Sequence, residues 1–309
     1  MLTIFAVPKP FEGHIGLIQR NAIKSWLRLE PKPEIILFFE ERGTEEIARE
    51  FGLKHIKEVR RNEFGTPFLS DVYDMAQKTA GNRLVAYVNS DIILLQDFIE
   101  SIKRIKMPDF MMTGRRWNLD IKEEINFDDS AWEEKLRALL KENGELYRPS
   151  ALDYSLFPKS FNLNLPPFTV GRSGGSDNWQ LYRAKCLKLP IIDATESTTV
   201  VHQNHEAPSH DFKGKKGEEK KIEMKRNVGL ADKFYHAYTL RDADFILTKQ
   251  GLARNKINPF LRFCLRYSAG LKTFYPFFDL PGKIVYFPVF LLVKTLFFIR
   301  NLINEFKNH

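Results

Sequence analysis

The sequence predicts an α/β fold, a Rossmann-like and mostly parallel sheet flanked by helices, with an amphipathic helical tail behind it. Three observations predict it. Apolar runs of four to six residues alternate with amphipathic stretches of eight to sixteen through the first third of the chain. Two further β-branched runs follow near residues 191 and 200. Basic and aromatic residues then gather after residue 250. Strands separated by helices of this length are the pattern of βαβ units, in which both faces of the sheet are covered.

In order, the predicted strands are Leu2–Val7, Glu34–Phe39, Leu84–Val88 and Phe110–Thr113, and the helices between them His14–Leu29, Thr44–Phe51, Phe68–Thr79 and Gln96–Ile105. Residues 115–150 read as a charged insertion with Trp117 and Trp132 and a helix over Ser130–Lys141. Ser130 stands as its N-cap with Glu133 as reciprocal partner, and Gly144 as its stop. The block Asp153–Val201 is rich in Phe, Pro and Gly and ends in strands Ile191–Ile192 and Thr198–Val201. The stretch His202–Lys225 contains six lysines from Lys213 onward and reads as a loop. Helices over Asn227–Tyr238 and Arg241–Gln250 follow. There is no internal repeat.

The net charge of +8 on 309 residues raises the question of nucleic acid. Its distribution answers it. Residues 251–309 hold nine Lys/Arg against two Asp/Glu, and 13 of the 40 aromatic residues, whereas the remaining 250 are nearly neutral. A basic tail rich in Phe and Tyr suits an anionic membrane surface rather than a nucleic-acid groove. The apolar run Ile284–Ile299 would extend ~24 Å as a helix, short of the ~30 Å hydrocarbon core. The expectation is therefore helices lying in the interface. Two cysteines, Cys186 and Cys264, build no disulfide framework, and the first residues read as a core strand rather than a signal segment. The expected location is cytoplasmic, peripheral on the inner face of the membrane.

Chemistry is expected where strands end, since ligands of parallel sheets bind beyond their carboxyl ends. Those ends release Pro8 and Lys9, Glu40, and Asn89-Ser90-Asp91. In Tyr87-Val88-Asn89-Ser90-Asp91-Ile92-Ile93-Leu94 a polar turn is held between two apolar segments. A carboxylate fixed there suits a hard divalent cation that keeps water and phosphate ligands. Capping of the next helix is the plainer reading of Asp91. A glycine pair in Gly171-Arg172-Ser173-Gly174-Gly175-Ser176-Asp177-Asn178-Trp179 permits close backbone approach to a ligand, and Asp177 opens a helix over Asn178–Leu187. Either Ser176 or Asp177 also serves as a plain N-cap, and Trp179 as core. Three of seven histidines, His202, His205 and His210, fall just after the last β-branched run. A zinc site lacks its cysteine pair; polar residues at a loop mouth are the alternative.

The stretch Asn62-Glu63-Phe64-Gly65-Thr66-Pro67, a helix, and then Tyr-Val-Asn-Ser-Asp-Ile-Ile-Leu resembles the donor half of GT-A-fold, family-2-like nucleotide-sugar glycosyltransferases. The resemblance covers residues 1–250 in pattern, a donor half of about 1–114 and an acceptor half of about 150–250, with 251–309 as membrane-associating helices. It implies a divalent metal, Mn2+ or Mg2+, and a nucleotide-sugar donor as co-substrate. Pro8, Glu40, Asn62 and Thr66 would border the nucleotide, and Asn89 and Asp91 the metal and diphosphate, with His202 completing the metal shell and His205 as its alternate. Asn89 stands where the first Asp of the family's Asp-x-Asp triplet would be, a neutral and poorer metal ligand. Asp153, Gly174, Gly175 and Trp179 would face the sugars, Arg226 is a further diphosphate contact, and the lysine-rich stretch a cover over the phosphates. Asp177 would be the base, because an acceptor hydroxyl needs its proton removed as the new bond forms. That points to an inverting transfer to a glycan or lipid-linked acceptor in surface polysaccharide or glycolipid synthesis. Two alternatives stay open: a nucleotidyltransferase, which would want a more Gly-rich first loop, and a non-catalytic carbohydrate-binding protein. A homo-oligomer is also left open.

Overall fold

The computed structural model describes residues 1–172, 175–205, 217–231 and 238–257, and the single residue Thr295. The elements run β1 (Leu2–Ala6), α1 (Gly13–Leu27), β2 (Glu34–Phe38), α2 (Thr44–Phe51), β3 (Lys54–Ile56), α3 (Leu69–Thr79), β4 (Leu84–Val88), β5 (Ile92–Leu94) and α4 (Asp97–Arg104). Then come β6 (Met111–Thr113), β7 (Trp117–Leu119), α5 (Trp132–Asn143), β8 (Glu145–Leu146), β9 (Tyr154–Pro158) and α6 (Ser176–Cys186). The last described elements are β10 (Ile191–Asp193), β11 (Val200–Gln203), α7 (Gly217–Leu230), β12 (Phe245–Thr248) and β13 (Gly251–Arg254).

Nine strands form the main sheet in the order β13-β12-β10-β6-β9-β4-β1-β2-β3. The pairs β3–β2–β1–β4 and β6–β10–β12 are parallel, while β9 runs antiparallel to both β4 and β6, and β13 antiparallel to β12. This is the mostly parallel α/β sheet that the sequence predicts. All five residues of β1 are buried. Its period of two divides them between layers: Leu2, Ile4 and Ala6 pack with Ala22, Ile23 and Trp26 of α1, whereas Phe5 packs with Val72, Tyr73 and Ala76 of α3. A strand buried on both faces has no polar register, which is why it reads as an unbroken apolar run.

A second sheet of four strands, β5-β11-β7-β8, stands beside the first. It incorporates the presumed insertion, whose β7 pairs parallel with β11, and whose Trp132, Leu136 and Leu140 pack against Ile93, Leu95 and Val201. Residues 115–150 are therefore part of the core architecture.

Several predicted elements are corrected. The helix of this region begins at Trp132 after Ala131, with no side-chain cap; Glu133 instead accepts a hydrogen bond from the Gln96 amide N–H at 2.8 Å. Gly144 does end it. Helix α7 over Gly217–Leu230 occupies residues 217–225 of the stretch read as a loop and starts ten residues before the helix read from Asn227, while residues 206–216 and 232–237 of those two expectations lie outside the described residues. Residues 241–250 hold a 3-10 turn, Leu240–Asp242, and β12 rather than a helix. The body also runs past residue 250, because β13 pairs with β12 through Arg254. The predicted tail helices, Gly174 and His210 lie outside the described residues.

Candidate active site

The carboxyl ends of β1 and β4 lie side by side because those strands pair in parallel, Phe5 opposite Tyr87. Lys9 leaves the first end and Asn89-Ser90-Asp91 the second. The antiparallel pairing of β5 with β11 sets His202 opposite Ile92, one residue from Asp91. Three residues further on, His205 completes a cluster. Its Nε2 is 3.2 Å from Asp91 Oδ2, and His202 Nε2 is 3.9 Å from the same oxygen. One ligand atom from each of Asp91, His202 and His205 lies within 4.8 Å of the others.

Buried amides fix the backbone of this cluster. Gln203 donates from Nε2 to the carbonyls of Asp91 (3.1 Å) and Ile18 (2.7 Å), and Asn21 donates to Gln203 Oε1. Gln19 holds Lys9 from both sides: Lys9 N–H donates to Gln19 Oε1 at 2.7 Å and Gln19 Nε2 to the Lys9 carbonyl at 2.9 Å. Ser90 donates to the same Gln19 oxygen. Site residues are thereby tied to α1 through groups that have no water to fall back on.

Beside this cluster, β9 brings in a second carboxylate. Val88 pairs with Tyr154, which sets Asp153 opposite Asn89. The Asn89 N–H donates to the Asp153 carbonyl at 2.9 Å, and its side-chain amide to Asp153 Oδ1 at 3.1 Å. Arg116, which leaves β6 toward β7, also pairs with Asp153 and stacks over the Tyr147 ring at 4.4 Å. The third carboxylate, Asp177, lies in the first turn of α6. Gly175 is the N-cap, at φ +105°, a conformation that suits glycine, so Asp177 is not the cap. Its Oδ2 accepts from the Leu152 N–H and its Oδ1 from the Ser176 hydroxyl, both at 3.3 Å.

One cavity of about 470 Å³ joins these groups. Its walls include Lys9, Asn89, Asp91, Arg116, Asp153, Asp177, His202 and His205. The volume is in the range of small-ligand pockets. A larger groove of about 580 Å³ is lined by Lys24, Arg28, Lys32 and Glu124 and no histidine.

The carboxyls titrate apart. Burial works to raise Asp91, but the His205 hydrogen bond and the charges of His202 and Lys9 outweigh it and hold the carboxyl well below the usual range. Burial raises Asp153 against the pull of Arg116. Burial, and then the charge of Asp153, push Asp177 up to about 6. Burial lowers His202, against Asp91, which favours the neutral imidazole that binds metals.

These residues fit a divalent cation. Asp91 Oδ1, His202 Nδ1 and His205 Nδ1 are buried with no hydrogen-bond partner, and one carboxylate with two imidazoles is a donor set for a first-row divalent ion, the carboxylate suiting Mn2+ and the imidazoles softer members of the row. Asn89 stands outside the group, since its amide serves Asp153.

The other sequence-predicted residues lie elsewhere among the described residues, off the cavity wall. Pro8 is buried. Glu40 is exposed and pairs with Arg61 at 2.9 Å. Asn62 and Thr66 both donate to the buried Glu223 of α7, which Arg172 also meets, Nε to Oε2 at 2.5 Å. Trp179 is 6% exposed and packs edge-on against Phe168 at 5.6 Å, in the core. Arg226 pairs with Glu63 on the surface. Sequence reasoning noticed Lys9 without giving it a role and passed over Arg116, although Arg116 follows a predicted strand end, the signal that selected the others.

No protein-family model matches the chain, and no curated protein matches it. Among solved structures it is similar to TarS of S. aureus in complex with UDP-GlcNAc, at 13% identity over 93% of this chain and 79% of that one, TM-score 0.46. It is similar as well to the mannosyltransferase PcManGT of Pyrobaculum calidifontis in complex with GDP-Man and Mn2+, at 13% identity over 94% and 79%, TM-score 0.42. Glucosyl-3-phosphoglycerate synthase of M. tuberculosis gives 12% identity over 75% and 82%, TM-score 0.40.

Proposed function

We propose that the protein is a glycosyltransferase that moves a sugar from a nucleotide-diphosphate sugar to an acceptor hydroxyl. One observation carries the reading: Asp91 with His202 and His205, and the separately titrating Asp177, line a single cavity at the strand ends. The pair of environments supports a division of labour between charge binding and proton transfer. Asp91, His202 and His205 would hold a divalent ion, which would supply charge against the donor diphosphate. Arg116 and Lys9 add positive charge to the same wall. Asp177, once ionised, takes the acceptor proton as the hydroxyl oxygen attacks the anomeric carbon; the anomeric C–O bond breaks and its electron pair leaves on the diphosphate oxygen. A base used in this way goes with inversion.

The acceptor belongs to the same proposal as a glycan or lipid-linked hydroxyl, in surface polysaccharide or glycolipid synthesis. The basic aromatic tail would hold the enzyme on an anionic membrane face, and no helix among the described residues is long and apolar enough to cross a membrane. The division into donor half, acceptor half and tail is retained as part of the proposal, with its boundary moved past β13. The test is nucleoside diphosphate release from a panel that includes UDP-GlcNAc and GDP-mannose, with Mn2+ or Mg2+. Release above the rate without protein is expected for at least one donor. Pyrophosphate release from a nucleoside triphosphate instead would make the protein a nucleotidyltransferase, and no turnover with any donor would leave a binding protein.

A further inference from the structure

The cluster that suits a cation already holds one. Lys9 is 7% exposed, and its ammonium points into the group: Nζ is 3.2 Å from His205 Nε2 and 3.7 Å from Asp91 Oδ2. His205 Nε2 is equally 3.2 Å from Asp91 Oδ2. One ring nitrogen cannot accept from the ammonium and donate to the carboxylate at once. In the tautomer that accepts from Lys9, the contact uses the Nε2 lone pair that a metal would use; in the tautomer that donates to Asp91, Lys9 faces the ring nitrogen's proton and the carboxylate oxygen is the atom already engaged.

Charge gives the same result. Among the described residues Asp91 is the one carboxylate of the cluster, since Asp153 is engaged by Arg116 and Asn89. A single negative charge balances Lys9 alone. A divalent ion added beside a fixed ammonium would meet repulsion at contact distance in a site with little water to screen it. We propose that Lys9 is the resident cation of the Asp91–His202–His205 cluster, and that a divalent ion enters by displacing its ammonium.

The surroundings specify how displacement occurs. Gln19 clamps the Lys9 backbone in both directions, so the main chain stays and the four-carbon side chain swings. Lys9 lines the open cavity, so the freed ammonium has room to turn toward an anionic ligand there. A diphosphate is the ligand class that satisfies both partners, because its oxygens accept from the ammonium and complete the shell of the ion. Metal and diphosphate therefore enter cooperatively, each improving the site for the other. The inference rests on the cluster being a cation site and not on the transfer of a sugar.

The experiment measures Mn2+ binding to the full chain, by the loss of the free-ion paramagnetic resonance signal, with and without a nucleoside diphosphate. Lys9→Met is expected to tighten Mn2+ at least tenfold without nucleotide and to shrink the enhancement that nucleotide gives the parent protein. Lys9→Gln, neutral but still able to hydrogen-bond, is expected to do the same should the apolar variant fold poorly. Lys9→Arg keeps the charge and is expected to bind as weakly as the parent. The gain must vanish in the double variant Lys9→Gln/His202→Ala. Unchanged or weaker Mn2+ binding in the folded neutral variants overturns the inference, and so does a gain that survives His202→Ala. A protein that behaves as expected here but releases no nucleoside diphosphate from any donor leaves the inference standing and removes the transferase reading.

Discussion

Asp91 and Asp177 face one cavity, and their neighbours give them opposite properties. Asp91 sits among an ammonium and two imidazoles, and its carboxyl is held ionised. Asp177 has two hydrogen bonds of 3.3 Å and the like charge of Asp153 nearby, and is pushed up to about 6. The same chemical group thus becomes a fixed charge at one end and a proton acceptor near neutrality at the other. Two carboxylates separated in this way are what the proposed division between charge binding and proton transfer requires, whereas two alike would argue for a structural polar network.

The largest effect that tests this contrast is on rate. Asp177→Asn is expected to lower kcat by roughly 10²–10⁴-fold, the usual contribution of a positioned base. Donor-induced thermal stabilisation should persist, since the cation end is untouched. An undiminished kcat would remove Asp177 as base and leave the contrast without its catalytic meaning.

A buried carboxylate outside the cavity serves as the control. Glu223 accepts from Asn62, Thr66 and Arg172, so it resembles Asp91 in burial but has no vacant role. Glu223→Ala is expected to cost about 3–5 kcal/mol of stability, because it strips the buried Arg172 guanidinium of its carboxylate. Urea unfolding measures it. A loss below ~1 kcal/mol would mean that α7 is held by something other than this network.

That network also explains what the sequence hid. The strands β1, β2 and β4 are legible because strands covered on both faces must be apolar throughout. Asp91 and Asp177 are legible because each polar turn adjoins a predicted core element. Helix α7 is not legible, since it inverts the expected pattern: Glu223 and Asn227 are buried while Ile222, Met224, Val228 and Leu230 are exposed. No rule of apolar periodicity finds a helix whose inner face is polar. Strand β9 is hidden for another reason. It ends on Pro158 and runs antiparallel in the centre of a parallel sheet, so local sequence does not announce the pairing that delivers Asp153. Arg116 arrives by an equally long-range route, through the second sheet.

The pH dependence follows from Asp177, and its sign differs between rate and stability. A base must be ionised to act, so kcat should rise with pH through about 6 and level off above it. Stability moves the other way. Between the unfolded value near 4 and the folded value about 6, the folded chain keeps a proton that the unfolded chain has released. Raising the pH through that window therefore lowers stability. Asp177 is half-buried rather than sealed, so about 1–3 kcal/mol is the expected size. Asp177→Asn should erase this slope, leaving a protein more stable than the parent at pH 8 and little changed at pH 4. An unaltered slope would place the proton on another group.

The smallest effect concerns Asn89, two residues before Asp91. A carboxylate placed there would add negative charge close to the cation end. The geometry argues against a role in the metal group, because the Asn89 amide is already engaged in donating to Asp153 Oδ1. An acid there can donate only when protonated, and when ionised it sets two carboxylates against each other. Asn89→Asp is expected to lose about 1–2 kcal/mol at pH 8 by thermal unfolding, with less loss at pH 5, where one proton can be shared. It should leave Mn2+ affinity within about twofold of the parent, a change of under ~0.5 kcal/mol. A tenfold gain in Mn2+ affinity would instead put residue 89 in the metal shell and merge the two ends that the structure keeps distinct.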